Sequence, residues 1–291
     1  SMWQKVYNSD YAVTLSSLPD LKSYPISSDN TQITLDSTSK EVTYGDSITL
    51  KASVTSDTPQ TVTWKSSNTA VATVKDGVVT ATGKGTAKIT ASLPNGRSAV
   101  CTVKVTTKKL PTSGYSYAST AQYTGSAIIP TVTVKDGSKV LRQNIDYRVI
   151  VTNNVKIGHA NITISGMGNY YGSYTAGFDI IPAKQTIQKL ETRYKGFFVD
   201  WAQKGSATGY DIQYSTSANM SGAASKHLTA NKPDNLTISG LTADKTYYVR
   251  VRSYTNVGSK TYYGPWSDIK NIKTQKLPFP AFPPRHTQAR L

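Results

Sequence analysis

Short runs of alternating apolar and polar residues recur along most of the chain. In one run, Val249 and Val251 alternate with Arg250 and Arg252. Successive side chains of a β-strand point to opposite faces of a sheet, so this pattern predicts strands with one buried and one solvated face. Long helical periodicity is absent, and the one weak helix candidate, residues 11–21, contains Pro19. The pattern therefore predicts an all-β protein.

Turn signals separate these runs at short intervals. They are rich in Gly, Asn and Asp, which tolerate positive φ angles. They occur at residues 44–47, 75–77, 83–85, 94–96, 135–137 and 242–245. Short strands joined by such turns are typical of β-sandwiches. We therefore expect three small Ig-like β-sandwich modules in tandem.

The alternating strand pattern is interrupted at the predicted boundaries of these modules. We place the modules at residues 31–107, 108–183 and 184–275. Residues 1–30 form an N-terminal segment in which Trp3, Tyr7, Tyr11 and Leu15 could pack on the first module or belong to the remnant of an upstream domain. Residues 276–291 form a Pro-rich tail, which cannot continue a sheet because proline lacks a backbone N–H group.

Composition and charge narrow the function classes. The 291 residues carry a formal charge of +16, and residues 184–275 have the largest excess, with 13 basic and 6 acidic residues. The basic residues alternate along predicted strands as on a solvated face, so we expect no nucleic-acid partner, whereas attraction to anionic polymers needs only a diffuse field. Cys101 is the one cysteine, which excludes a disulfide framework and favours a small core residue.

The first module has a dense motif, VTWKSSNTAVATVKDGVVTATGKGTAKITAS, at residues 62–92. It resembles the bacterial Ig-like family 2 (BIG2) module. Trp64, Ile89 and Ala91 are predicted to fill the core, and Asp76-Gly77 is predicted to close a tight hairpin. We therefore interpret residues 61–91 as scaffold.

The second module contains PTVTVKDG at residues 130–137 and GHANITISGMGNYYG at residues 158–172. It is similar to a β repeat found in surface proteins of Firmicutes. That repeat has a Gly where this chain has Asn144, a mild departure because Asn also tolerates the left-handed conformation.

The third module looks like a fibronectin type III domain. The resemblance rests on FFVDWAQ at residues 197–203, GYDIQYS at residues 209–215 and LTADKTYYVRVRSYTNVG at residues 241–258. It implies a buried Trp201 and a tyrosine corner formed by Leu241 and Tyr247. The stretch YYGPWSD at residues 262–268 is predicted to open the last strand.

Catalytic and metal-binding patterns are missing from the sequence. His159, His227 and His286 fall in different modules or in the tail, and no acidic cluster resembles a calcium loop. We therefore predict a protein that is not an enzyme and binds no cofactor or metal. No apolar run is long enough to cross a membrane, so we expect no membrane insertion in this stretch.

Tyrosines beside basic residues provide the candidate binding sites. Exposed Tyr and Arg side chains suit acidic glycans or acidic protein patches, through cation–π contacts and charge-assisted hydrogen bonds. The alternative is that these side chains stack on one another and only cover the sheet. The candidate residues are Arg250, Arg252, Tyr248, Tyr262, Tyr263, Tyr171 and Tyr174.

These resemblances imply a non-catalytic stalk or adhesion region of a secreted or cell-wall-attached protein of a Gram-positive bacterium. Such a region presents a head domain and can bind host glycoprotein, immunoglobulin or polysaccharide. The alternative is an accessory region of a large extracellular hydrolase. We expect the chain to be monomeric.

Overall fold

The computed structural model describes residues 30–276, and all regular elements in this range are β-strands. The helix candidate at residues 11–21, the aromatic residues of the N-terminal segment and the tail beyond Lys276 lie outside the described residues. Residues 30–276 contain no helix that is long and apolar enough to cross a membrane. The all-β prediction is confirmed.

The chain divides into two compact units, with the boundary between Thr106 and Thr107. Within residues 30–106, the first unit contains nine strands: β1 (Gln32–Leu35), β2 (Ser39–Thr43), β3 (Ser47–Thr49), β4 (Ala52–Thr55), β5 (Thr63–Ser66), β6 (Ala72–Lys75), β7 (Val78–Ala81), β8 (Gly85–Ser92) and β9 (Ser98–Thr106). They form sheets in the orders β2–β9–β8–β5, β3–β7–β6 and β1–β4. Strand β2 pairs with β9 in parallel, and the pairings within the other two sheets are antiparallel.

The core of the first unit follows the alternation of its strands. Ile89 and Ala91 of β8 and Cys101 of β9 are fully buried, and Trp64 is partly buried against them. Between β6 and β7, Asp76 and Gly77 have φ angles of 49° and 82°, as a two-residue hairpin turn requires. A Cβ atom on Gly77 would lie 2.6 Å from the Leu50 carbonyl oxygen, so only glycine fits there.

The first half of the second unit contains β10 (Lys108–Lys109), β11 (Tyr115–Ser116), β12 (Thr120–Gln122), β13 (Thr133–Asp136), β14 (Lys139–Val140), β15 (Tyr147–Thr152), β16 (Gly158–Gly166), β17 (Tyr170–Tyr171) and β18 (Ser173–Ile181). The larger sheet has the order β12–β18–β16–β15, and the smaller one β11–β13–β14. Ile162, Phe178 and Ile180 are buried. Asn144 has a φ of 66°, in the left-handed region predicted for it.

The second half of this unit contains β19 (Ile187–Arg193), β20 (Gly196–Trp201), β21 (Gly209–Ser215), β22 (Ala224–Leu228), β23 (Asn235–Ile238), β24 (Thr246–Val257), β25 (Lys260–Tyr263) and β26 (Lys270–Lys273). One sheet has the order β19–β20–β23 and the other β22–β21–β24–β25, with β26 also pairing with β24. Trp201 is fully buried, as predicted. The Thr242 N–H group donates to Tyr247 Oη at 3.2 Å, which forms the predicted tyrosine corner.

The prediction that residues 262–268 open the last strand is wrong. Tyr262 and Tyr263 end β25, and the last strand, β26, begins only at Lys270. The two strands pair with different ends of β24. Pro265 lies between them, and its missing N–H group is unsuited to a continuous ladder.

Candidate binding face of the third module

The outer face of the sheet formed by β21, β22, β24 and β25 carries the predicted basic and aromatic side chains. Val249 and Val251 are fully buried, whereas Tyr248, Arg250 and Arg252 are partly exposed. Arg250 lies opposite Gln213 of β21, and Arg252 lies opposite Asp211. The predicted division of β24 into a valine face and an arginine face is therefore confirmed.

Trp266, which follows β25, stacks between the two arginines. The Cζ atoms of Arg250 and Arg252 each lie 4.5 Å from the centroid of the Trp266 ring. Arg252 Cζ also lies 4.1 Å from the centroid of the Tyr263 ring. We call this stack of Arg250, Trp266, Arg252 and Tyr263 the Arg–Trp ladder. Each contact within it has cation–π geometry.

Hydrogen bonds from the neighbouring strand hold both guanidinium groups. Arg250 Nε and Nη2 donate to Gln213 Oε1 at 2.9 and 2.6 Å. Arg252 Nε and Nη2 donate to Asp211 Oδ2 at 2.9 and 2.8 Å. The second oxygen of Asp211 pairs with His227 Nδ1 at 2.6 Å. The arginines are therefore paired within the sheet as well as stacked.

The two arginines have different electrostatic surroundings. Burial lowers the pKa of Arg250, and the nearby charge of Arg252 lowers it further. Gln213 offers Arg250 a neutral oxygen, while Arg252 faces the Asp211 carboxylate. Arg250 is therefore the end of the ladder where an anionic group would be most favourably placed.

The remaining predicted residues have mixed positions. Tyr263 is 43% exposed at one end of the ladder, but Tyr262 is buried, and Lys260 Nζ lies 4.6 Å from the centroid of its ring. Tyr262, a candidate for an exposed binding residue, is therefore wrongly assigned, because the pairing of β25 with β24 turns its side chain inward. Tyr171 is 51% exposed, and Tyr174 stacks on Tyr115 with centroids 3.7 Å apart. Both belong to sheets of the second module, separate from the ladder.

Sequence reasoning missed Trp266, Gln213 and Asp211 as parts of this face. Asp211 and Gln213 alternate with the buried Tyr210 and Ile212, so the period of two would have placed them outward. Trp266 had no comparable signal, because it reaches the arginines from an irregular segment.

The stacked side chains of this face cover the sheet, and the exposed Tyr263 is available to a ligand. It has no pairing of a nucleophile with a base. Residues 30–276 contain no group of three His, Cys, Asp or Glu side chains that could hold a metal. Its chemistry is that of stacking and hydrogen bonding.

Comparisons with known protein families agree with two of the three predicted modules. Residues 29–103 match the model of the bacterial Ig-like domain, group 2, and residues 185–269 match that of the fibronectin type III domain. Both are non-catalytic types typical of extracellular surface proteins. The Arg–Trp ladder lies in the fibronectin type III domain, and the resemblance of residues 115–181 to a surface-protein repeat stays a prediction.

One curated relative is an enzyme by name. Lacto-N-biosidase of Bifidobacterium bifidum is 57% identical over 51 residues, which are 17% of this chain and 5% of that protein. This chain therefore matches only a small part of its relative.

Solved structures show weaker likeness. The FN1-FN3 domains of chicken CNTN1 are 13% identical, with 84% of this chain and 98% of that chain covered and a TM-score of 0.30. A beta-1,2-glucanase from Parabacteroides distasonis is 13% identical, with 40% of this chain and 18% of that chain covered and a TM-score of 0.28.

Proposed function

We propose that this chain is a non-catalytic spacer of a secreted or cell-wall-attached protein in a Gram-positive bacterium. It would hold a binding or catalytic domain away from the cell. The presence of a bacterial Ig-like domain and a fibronectin type III domain supports a surface or stalk role. A spacer also needs junctions that resist bending, and contacts within the second compact unit support such a junction.

The junction between the second module and the fibronectin type III domain is the observation that carries this proposal. Asp179 of β18 pairs with Lys260 of β25 at 2.7 Å. Lys184, in the short connection between β18 and β19, pairs with Asp268 at 2.6 Å. The Lys184 N–H group also donates to Gln122 Oε1 at 2.9 Å. Exposed ion pairs each contribute little, but three contacts around a short connection limit rotation about it.

Spin-label distances in the full chain test the stiffness of this junction. Ser138→Cys and Ala218→Cys, both exposed, place labels on the two modules in a Cys101→Ala background. Double electron–electron resonance should give one narrow distance distribution, which Lys184→Ala with Lys260→Ala should broaden. Lys75→Ala with Lys88→Ala, in the bacterial Ig-like domain, is the control for charge loss and should not broaden it. A broad distribution in the parent chain would refute a stiff spacer.

A second candidate is an accessory region of a large extracellular hydrolase. The similarity to part of lacto-N-biosidase favours it. In this role the chain would place a catalytic domain on a polymer, so it should bind a polysaccharide by itself. A glycan array and a serum-protein pull-down with the full chain separate this role from that of a purely mechanical spacer. Selective retention by one glycan class supports the accessory role, and absence of glycan binding contradicts it.

A more specific version of the stalk proposal is that the chain also binds a partner and so acts in adhesion. Its partner would be a host glycoprotein, an immunoglobulin or a polysaccharide, bound at the Arg–Trp ladder. The 43% exposure of Tyr263 and the neutral partner of Arg250 support this location. Capture of a serum glycoprotein or immunoglobulin in the same pull-down would favour adhesion over a purely mechanical role.

A further inference from the structure

A cleft of about 480 Å³ opens beside the junction in the second compact unit. One wall is the connection between β15 and β16, residues 153–157, together with the start of β16. The other wall is Val257, at the end of β24. A Cβ atom on Gly158 would lie 3.9 Å from Val257 Cγ1, so the two modules approach each other closely here. The volume is within the range of small-ligand sites.

Apolar side chains line this cleft but remain in contact with solvent. Val155 is 45% exposed and Val257 is 43% exposed, while Ile157, which also lines the cleft, is buried. Apolar groups left exposed in a concave site gain free energy when a ligand with an apolar face covers them. The cleft is therefore suited to a ring with one apolar face.

Polar groups at the same wall have no partner within the described part of the chain. The side chains of Asn153 and Lys156 make no hydrogen bond or ion pair with residues 30–276, although both line the cleft. An amide offers a donor and an acceptor, and an ammonium offers three donors. These two groups could therefore hydrogen-bond with the hydroxyl groups of a ligand and pair with its negative charge.

The charges around the cleft favour an anion. His159 lines it, and Lys260 lies opposite Val257 in the pairing of β24 with β25. Both side chains share the carboxylate of Asp179. Lys260 alone balances that carboxylate, and Lys156 has no acidic partner among residues 30–276, so Lys156 is placed to attract an anion.

We propose that this cleft binds an acidic sugar of the uronic acid type. The C–H face of the ring would pack on Val155 and Val257, its hydroxyl groups would hydrogen-bond with Asn153, and its carboxylate would pair with Lys156. This site is distinct from the Arg–Trp ladder and goes beyond the spacer role. It also gives the junction a ligand that contacts both modules at once.

Amide chemical shifts of the full chain test the proposal with a matched pair of probes. Methyl glucuronide and methyl glucoside differ only in the carboxylate at C6. The glucuronide should cause saturable shifts at residues 153–159 and at Val257, and the glucoside should bind more weakly. Lys156→Gln should weaken glucuronide binding about tenfold, the effect of losing one hydrogen bond to a charged group. Lys75→Gln removes the same charge elsewhere and should leave it unchanged.

Several outcomes would overturn the site. Equal shifts with both sugars would show that the carboxylate is not recognised. Equal weakening by Lys75→Gln and Lys156→Gln would show attraction to the net charge alone. Absence of saturable shifts at the cleft up to the solubility limit of the glucuronide would exclude binding there. Because the readout is local, these results do not depend on whether the chain acts as a spacer.

Discussion

The arginines of β24 show how one side chain can both pack against aromatic rings and donate hydrogen bonds. A guanidinium group is planar, so its faces can stack on aromatic rings while its edge donates hydrogen bonds. The Arg252 guanidinium contacts the rings of Trp266 and Tyr263, and its N–H groups donate to Asp211. A lysine could not make the same set of contacts. Substitution of either arginine therefore tests the folding of the domain as well as ligand binding.

Removal of Trp266 should destabilise the fibronectin type III domain more than its position outside a strand suggests. Trp266→Ala deletes two partly desolvated cation–π contacts, each worth about 1 kcal/mol, so we expect a loss of about 2 kcal/mol. Hydrogen exchange of the β24 amides, measured in the full chain, reports the change in this domain.

Tyr171→Ala is the matched control, because Tyr171 is an aromatic side chain that is 51% exposed. Its effect should stay within about 0.5 kcal/mol, as for most surface substitutions. If Trp266→Ala leaves the protection of β24 unchanged, the ladder does not stabilise the sheet.

At the level of strands, local patterns predicted most of what the structure shows. The alternation in β8 and β24 gave the buried faces correctly because a strand's side-chain period is fixed by its backbone. The hairpin at Asp76-Gly77 was predictable because its φ angles demand particular residues at adjacent positions. These features depend on neighbours in sequence and need no knowledge of the sheet.

Features set by distant residues were not predictable in this way. The inward orientation of the Tyr262 side chain depends on the register of β25 against β24, in which Thr255 lies opposite Tyr262. The contact of Tyr174 with Tyr115 joins two different sheets. Neither the register nor the choice of sheet is encoded by a run of five or six residues, so these tyrosines could be identified as candidates but not placed.

At the scale of the molecule, composition indicated a change of module near residues 180–186 but not the contacts across it. The ion pair of Asp179 with Lys260 joins residues 81 positions apart. The cleft beside it likewise combines residues 153–159 with Val257. Such sites exist only once two folded modules meet, so the sequence candidates for binding all fell within single modules.

Acidification should loosen the junction through Asp179. The hydrogen bond from Lys260 lowers the pKa of this carboxyl below its ordinary value of 3.8, His159 lowers it further, and partial burial opposes both. A carboxyl whose pKa is lower in the folded state stabilises the contact fully above the ordinary value. That contribution is lost as the pH falls through the lowered pKa. The distance distribution between labels at Ser138→Cys and Ala218→Cys should therefore stay narrow above the ordinary carboxyl pKa of 3.8 and broaden as the pH falls below it. In the Asp179→Asn variant, the distance distribution should be broader already at neutral pH and should change less with acid. Equal acid broadening in both chains would assign the effect to other carboxyl groups.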